Sequence, residues 1–352
     1  MPPFRRSASR PPLSIGFLAL TDAAPLFVAQ ELGLFARHRL PVNLRREVGW
    51  ATLRDKLLFG ELTAAHALAP MLWASALGLS GPSGDVVTAF VLNLNGNALT
   101  LARALRDAGA HDPASLRRLA HERRGERKLT FGVVYRFSAH HLLLRNWLRT
   151  AGLDAERDVR IVVVPPAQMV RNLAAGNLDG FCAGEPWNSL AIARGVGWCP
   201  TWSASFAPGH LEKVLMVRSA FAEQQTETHA ALIAALDEAA LWCDEPQNRA
   251  RLATLLAKPN YLDLPVEILQ PALEGRFATG LGHEEVPDFI VFHRGGANAP
   301  TLARAKALQQ ELVAAGLLPP ELASADLPAR LFREDLYHAA LESRSLRHEQ
   351  VL

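Results

Sequence analysis

Cysteine is scarce in this 352-residue chain, and its three copies (Cys182, Cys199, Cys243) stand in no CxxC or CxxH spacing. That argues against a disulfide-stapled scaffold and a zinc ribbon. An excess of one charge is missing too. Lys and Arg number 37 and Asp and Glu 35, a formal net charge of +2, which excludes a histone-like or strongly basic nucleic-acid binder. Lysine supplies only 5 of those 37 cations, an arginine bias read as codon usage. No stretch reaches the roughly 18 apolar residues of a membrane-spanning helix. No P-loop, GxSxG, HExxH or complete GxGxxG stands in a supporting context. No activated nucleophile or acid/base pair is evident either, so binding rather than catalysis is expected, with no cofactor and no metal. What is present is a globular composition, 49% hydrophobic and 20% charged, long enough for two domains at roughly 150 residues each.

The amino terminus imitates an export signal. Arg5-Arg6 and Arg10 precede an apolar run, Leu13 to Leu20, in the manner of a signal peptide, even a twin-arginine one. The run is short, broken by Gly16 and followed at once by Thr21-Asp22, and Pro11-Pro12 separates it from the arginines. The reading adopted is a disordered tail over 1–12 and then a buried first strand. A soluble, cytoplasmic protein with no membrane partner is therefore expected.

The chain repeats itself at an offset of 116. Leu57-Leu-Phe-Gly60-Glu-Leu62 and Ala67, Pro70 are answered by Leu173-Ala-Ala-Gly176-Asn-Leu178 and Ala183, Pro186. Upstream, Leu13-Ser-Ile-Gly16-Phe faces Leu129-Thr-Phe-Gly132-Val. Each unit reads strand, helix, strand, helix, strand: 13–18, 24–35, 42–47, 51–59 and 63–68, then 129–134, 140–150, 159–164, 167–175 and 179–183. Each second helix ends at a glycine suited to a left-handed cap, Gly60 and Gly176. This grammar predicts parallel pairing with right-handed crossovers. The expected fold is α/β, a two-lobed clamp with a cleft between two parallel-sheet lobes. Lobe 1 is expected over 13–95 plus 215–352, with helices at its carboxyl end, and lobe 2 over 96–214. Ligands of open α/β sheets sit beyond the carboxyl ends of the strands. Helix amino termini there favour a small anion.

Several segments are candidates to line that cleft, each with a plainer alternative. Trp50 opens the second helix of lobe 1 and offers one N–H donor, or else is core packing. Gly184-Glu185-Pro186-Trp187 follows the third strand of lobe 2 and starts a helix facing the cleft, or is a plain turn. Asn93, Asn95 and Asn97 flank Gly96 at the lobe crossover and share one side if the chain is extended, or serve as turn residues. Tyr135-Arg136 follows the first strand of lobe 2, or is plain loop. His293-Arg294 brings cationic side chains in a glycine-rich loop, or that loop is simply solvated. His140 and His141 are adjacent on a helix and point apart, so core packing is preferred to a shared metal, as it is for Cys182. The basic run Arg117 to Lys128 reads as a solvated connection, with a partner or RNA surface as the alternative.

Taken together, these residues resemble the nitrate- and bicarbonate-binding proteins of the NrtA/CmpA type. The matching stretches are Ile15 to Pro25, Trp50-Ala-Thr-Leu-Arg-Asp55, Asn95-Gly-Asn97, Val164-Pro-Pro-Ala167 and Gly184-Glu-Pro-Trp187, with weaker similarity over Phe332 to Tyr337. The resemblance implies a type II periplasmic-binding-protein fold and a small oxyanion in the cleft. The apparent lack of an export signal makes the chain look like the cytoplasmic sensor NasS. Such sensors bind nitrate or nitrite and hold an RNA-binding ANTAR antiterminator until the anion arrives, with no direct nucleic-acid contact of their own. The alternative is an exported solute-binding subunit of an ABC-type nitrate, bicarbonate or small-solute importer. A third reading is an enzyme on the same fold, such as a thiamine-pyrimidine-type protein. Position by position, the resemblance implies a ligand indole at Trp50, polar contacts at Asn95 and Gly96, and a lobe 2 contact at Tyr135. It implies backbone contacts at Gly184 and Glu185, with Trp187 beside them, and a cationic contact at His293 or Arg294.

Overall fold

The computed structural model describes residues 12–125 and 127–349, without the side chains of Arg124 and of residues 344–349. Apart from Pro12, the tail expected over 1–12 lies outside the described residues. The chain opens with β1 (Leu13–Phe17), β2 (Val42–Arg46) and β3 (Ala64–Leu68), joined by helices Ala24–Glu31 and Trp50–Leu58. β4 (Val86–Asn95) then runs directly into β5 (Asn97–Ala102), and the chain crosses from one lobe to the other between them. β6 (Thr130–Val133), β7 (Arg160–Val163) and β8 (Gly180–Gly184) follow, with helices Ala139–Thr150 and Met169–Ala174 between them. β9 (Gly197–Trp202) completes the second lobe. β10 (Leu211–Arg218) returns to the first, followed by long helices, the small ribbon of β11 (Arg276–Ala278) and β12 (His283–Glu285), and β13 (Ile290–Val291).

The expected repeat is present as geometry. β1 lies between β2 and β3, and β6 lies between β7 and β8, all parallel. Gly60 (φ +82°) and Gly176 (φ +72°) close the helices before β3 and β8 in the left-handed region that favours glycine. β3 and β8 are buried along their whole length, consistent with sheets covered on both faces.

The sheets are mixed, not wholly parallel as the five-element grammar predicts. Their orders are β13-β4-β10-β3-β1-β2 and β7-β6-β8-β5-β9. β10 pairs antiparallel with β3 and β4, and β5 pairs antiparallel with β8 and β9. The reason is strand exchange. Each sheet's fourth strand enters from the other lobe and so meets the repeat from the opposite direction. β10 belongs whole to the first sheet, so a boundary at 214/215 cuts through a strand; the return crossing is the segment between Trp202 and Leu211. At the outward crossing Asn95 (φ +61°) and Gly96 (φ +91°) both adopt left-handed backbone. A Cβ on Gly96 would also crowd Ile290 at 3.2 Å. One apolar cluster runs from Trp50 and Leu68 in the first lobe to Phe131 and Trp187 in the second. No helix among the described residues is long and apolar enough to cross a membrane.

Candidate functional site

Where the two crossings meet, charged and polar side chains are buried between the lobes. Lys213 on β10 is fully buried, and its ammonium donates to Asp22 (2.7 Å) and to the neighbouring Glu212. Asp22 follows β1 and accepts from His66 Nε2 on β3 at 2.8 Å. The carboxylate can only accept, so this bond fixes the Nε2–H tautomer. Glu212 accepts from Asn97 Nδ2 on β5 at 2.5 Å, and His210 lies 3.4 Å from it. His140, in the first turn of the helix after β6, puts Nε2 3.1 Å from Glu212 without the alignment of a hydrogen bond. The Trp50 indole closes the group, with Lys213 Nζ 5.4 Å above its ring and the His66 ring 5.6 Å away.

The electrostatics follow from burial opposed by pairing. Burial pushes the Asp22 carboxyl up, but Lys213 and His66 outweigh it and leave it below its ordinary value. Burial acts on Glu212 likewise, and His140, Lys213 and His210 bring it well below. Burial would lower the Lys213 ammonium, yet the two carboxylates hold it above its usual value. The ion triad is therefore charged. The imidazoles go the other way: burial lowers His66 despite Asp22, and takes His140 to about 4. Glu185, buried with few partners, is pushed up to about 7.

Around this cluster lie buried polar atoms with no hydrogen-bond partner: Trp50 Nε1, His66 Nδ1, Asn97 Oδ1 and both ring nitrogens of His140. Native interiors rarely leave such atoms alone. Gly184 borders the same space. A Cβ there would stand 3.2 Å from Asp22 Oδ2 and 3.4 Å from Asn97 Oδ1. The unpartnered donors are thus the Trp50 indole N–H from the first lobe and the His140 imidazole from the second, beside the Lys213 ammonium; His66 Nδ1 is left as an acceptor. Among the described residues no group of three or more His, Cys, Asp or Glu is placed to hold a metal ion.

The candidates read from the sequence divide. Trp50 and Gly184 sit at this cluster. Glu185 reaches it through its backbone, which accepts from Thr21 N–H (2.8 Å) and donates to Gly96 C=O (3.3 Å). Its carboxylate instead accepts from Ser189 N–H at 3.2 Å, with Oε1 unpartnered. Trp187 is buried with Nε1 unpartnered. Asn95 is turned away: its amide donates to Asp288 C=O and its Oδ1 accepts from Gly209 N–H, pinning the two crossings together. The left-handed break at Asn95-Gly96 destroys the expected alignment of the three amides, and Asn97 faces the cluster instead. Tyr135 is a latch between lobes, with its hydroxyl 2.7 Å from Arg54 Nη1 and 2.6 Å from Ser80 Oγ. His293 and Arg294 are engaged elsewhere. Both backbone N–H groups and the Arg294 guanidinium hold Asp244, Arg294 also holds Asp288 (2.7 Å), and His293 meets Asn298 (2.7 Å).

Asp22, His66, Glu212 and Lys213 were not among the candidates, and His140, read as core packing, is buried but stands at the cluster. The available signal was charge where the pattern wants none: Glu212-Lys213 inside an apolar strand, and His66 between alanines.

Comparison with known proteins shows the family and the fold. Residues 6–257 match the model of the NMT1-like family. The nitrate/nitrite binding protein NrtA of Synechococcus elongatus is 30% identical over 94% of this chain and 77% of its own length. The nitrate import ATP-binding protein NrtC of Synechocystis is 35% identical over 93% of this chain, which spans about half (49%) of that relative's length. The crystal structure of the periplasmic nitrate-binding protein NrtA from Synechocystis superposes with a TM-score of 0.89 at 28% identity, over 97% of this chain and 90% of that one. Alkanesulfonate-binding SsuA from Xanthomonas axonopodis shares the fold alone, at 18% identity and a TM-score of 0.67. The chain belongs to the NMT1-like family and, within it, to the NrtA/CmpA type of two-lobed binding protein.

Proposed function

We propose that this chain binds nitrate or nitrite between its lobes without turning it over, and that it is a cytoplasmic sensor of the NasS kind. In this reading the anion favours the closed clamp and so releases a sequestered ANTAR antiterminator. The observation that carries the anion is the buried Lys213, flanked by unpartnered Trp50 Nε1 and His140 nitrogens from opposite lobes. Nitrate has four heavy atoms. At a ceiling of roughly −1.5 kcal/mol per atom its affinity stops near about −6 kcal/mol, on the order of tens of micromolar. That requires several donors in a closed, dry site, each charge-assisted bond contributing about 1.5–3 kcal/mol. The ion triad sums to −1, so the guest's charge must also be met by the dipoles of the helix starts at Trp50 and Ala139. The sensor role and the cytoplasmic location rest on the resemblance of the sequence. The competing role, a solute-binding subunit of an anion importer, is favoured by the superposition on a periplasmic protein.

The test is a thermal-shift and calorimetric panel of nitrate, nitrite, bicarbonate and sulfate on the purified chain. An anion at about 100 times its dissociation constant should stabilise the fold by roughly 2.7 kcal/mol. Stabilisation by nitrate or nitrite, with little from sulfate, is the expected result; no response to either sinks the proposal. Cell fractionation and the intact mass of native protein then separate sensor from importer subunit. Capture of a purified ANTAR antiterminator that nitrate abolishes is the sensor's signature.

A further inference from the structure

A second concave region lies outside the anion cluster. β7 is the edge strand of the second sheet, and a groove of about 1090 Å³ runs along it. One wall is β7 itself, with Val163 57% exposed. The other includes Ala315–Leu317, just beyond the helix Leu302–Ala314 at the carboxyl end of the chain. Arg127, Lys128, Arg136 and Arg160 border it. Arg127 is tied to Asp179 at 2.8 Å. Lys128, Arg136 and Arg160 are exposed; Arg136 acts on Glu156, the carboxylate that lines the groove, which Arg145 already holds.

The backbone of this edge is also open. The N–H groups of Arg160 and Val164 donate inward, to Leu129 and Val133, at 2.8 and 2.9 Å. By strand alternation those of Ile161 and Val163 point away from the sheet, and neither makes a backbone bond among the described residues. An unpaired edge is a template for an added strand. Edges are ordinarily guarded by charge; here four cations, Arg127, Lys128, Arg136 and Arg160, line the groove against one carboxylate, Glu156, which favours a partner of opposite sign.

We infer that the β7 groove is a docking site for an acidic segment of a partner protein, bound extended as a further strand beside Arg160–Val163. Its backbone pairs with Ile161 and Val163, and its carboxylates meet Lys128, Arg136 and Arg160. The groove's walls come from both lobes, so opening or closing the clamp changes its width. That makes docking sensitive to whatever occupies the cleft. That coupling rests on the proposed function; the docking itself does not.

The test uses the full chain and a fluorescein-labelled peptide of alternating Glu and Val, read by anisotropy at low salt. Wild type is expected to bind it. Arg136→Glu with Arg160→Glu should weaken binding by about tenfold or more. Val163→Pro removes an outward N–H and leaves every inward ladder bond, and it should weaken binding as much, while Val163→Thr retains it. Nitrate-induced thermal stabilisation of each variant should match wild type, which shows that it is folded and reports on the anion site separately. No peptide binding by wild type overturns the groove proposal, whatever the nitrate result. Preference for single-stranded RNA, unaffected by Val163→Pro, overturns it too. Peptide binding indifferent to saturating nitrate, in a chain that nitrate does stabilise, removes the coupling.

Discussion

The two lobes share one strand order, β2-β1-β3 and β7-β6-β8, but matched positions 116 residues apart do different work. Asp22 carries a buried charge, whereas its counterpart Ser138 caps the next helix by accepting from His141 N–H at 3.1 Å. His66 donates to Asp22; its counterpart Cys182 is a buried thiol pushed up by desolvation. Leu68 is buried in the core, and Gly184 lets the backbone approach Asp22 closely, since a Cβ there would stand 3.2 Å from its carboxylate. Only His140 reverses the bias, standing opposite Ala24. Duplication thus supplied a symmetric frame, while the ions collected on the first lobe and its exchanged strand β10. The second lobe contributes a neutral imidazole, an amide and the close backbone approach of Gly184. A clamp of this kind need not divide its chemistry equally, because charges that satisfy each other must be in contact whichever half they come from.

The sharpest way to break the contrast is at Lys213. Lys213→Met leaves Asp22 and Glu212 buried without their cation and should cost about 3–5 kcal/mol of unfolding free energy, read by denaturant titration. It should also abolish any nitrate-induced shift. Arg294→Ala, which removes a cation outside the cluster, should leave that shift unchanged; if the two variants behave alike, the cleft assignment is wrong.

The next effect is a pH dependence that separates His140 from its alanine counterpart. Its folded pKa of about 4 lies below the ordinary 6.5, so between those values the unfolded chain binds the extra proton and stability falls as pH falls. The contribution is complete above pH 6.5, lost by about pH 4, and of order 3 kcal/mol. Glu185, raised to about 7, has the opposite sign: its contribution is present at low pH and lost as pH rises through 7. His229 is also lowered to about 4, with burial again the cause. The readout is therefore the difference between wild type and His140→Gln, which should flatten the melting profile between pH 6.5 and 4.

The smallest effect comes from restoring symmetry. Gly184→Ala puts a methyl 3.2 Å from Asp22 Oδ2; nitrate affinity measured by calorimetry should fall by about tenfold, or about 1.4 kcal/mol. Leu68→Ala, the matched change in the other lobe, should lower stability instead, by about 2–5 kcal/mol for a buried leucine.

Much of the frame was legible in the chain itself. The 116-residue repeat, the paired strands and the glycines that end both helices follow from periodicity and from backbone conformations that only certain residues adopt cheaply, and both are local properties. Trp50 and Gly184 were legible because they stand where a strand or helix meets the expected cleft. Tyr135, Asn95, His293 and Arg294 were not assignable in this way. A side chain's partner is a matter of space: Tyr135 met Arg54, Asn95 met the chain's return crossing, and Arg294 met Asp244. The antiparallel exchange strands and the Asp22–Lys213–Glu212 triad were decided by tertiary structure alone. Residues 22 and 213 become neighbours only when the chain returns from the second lobe and β10 pairs with β3, and no local pattern records which strand will fill that place in the sheet.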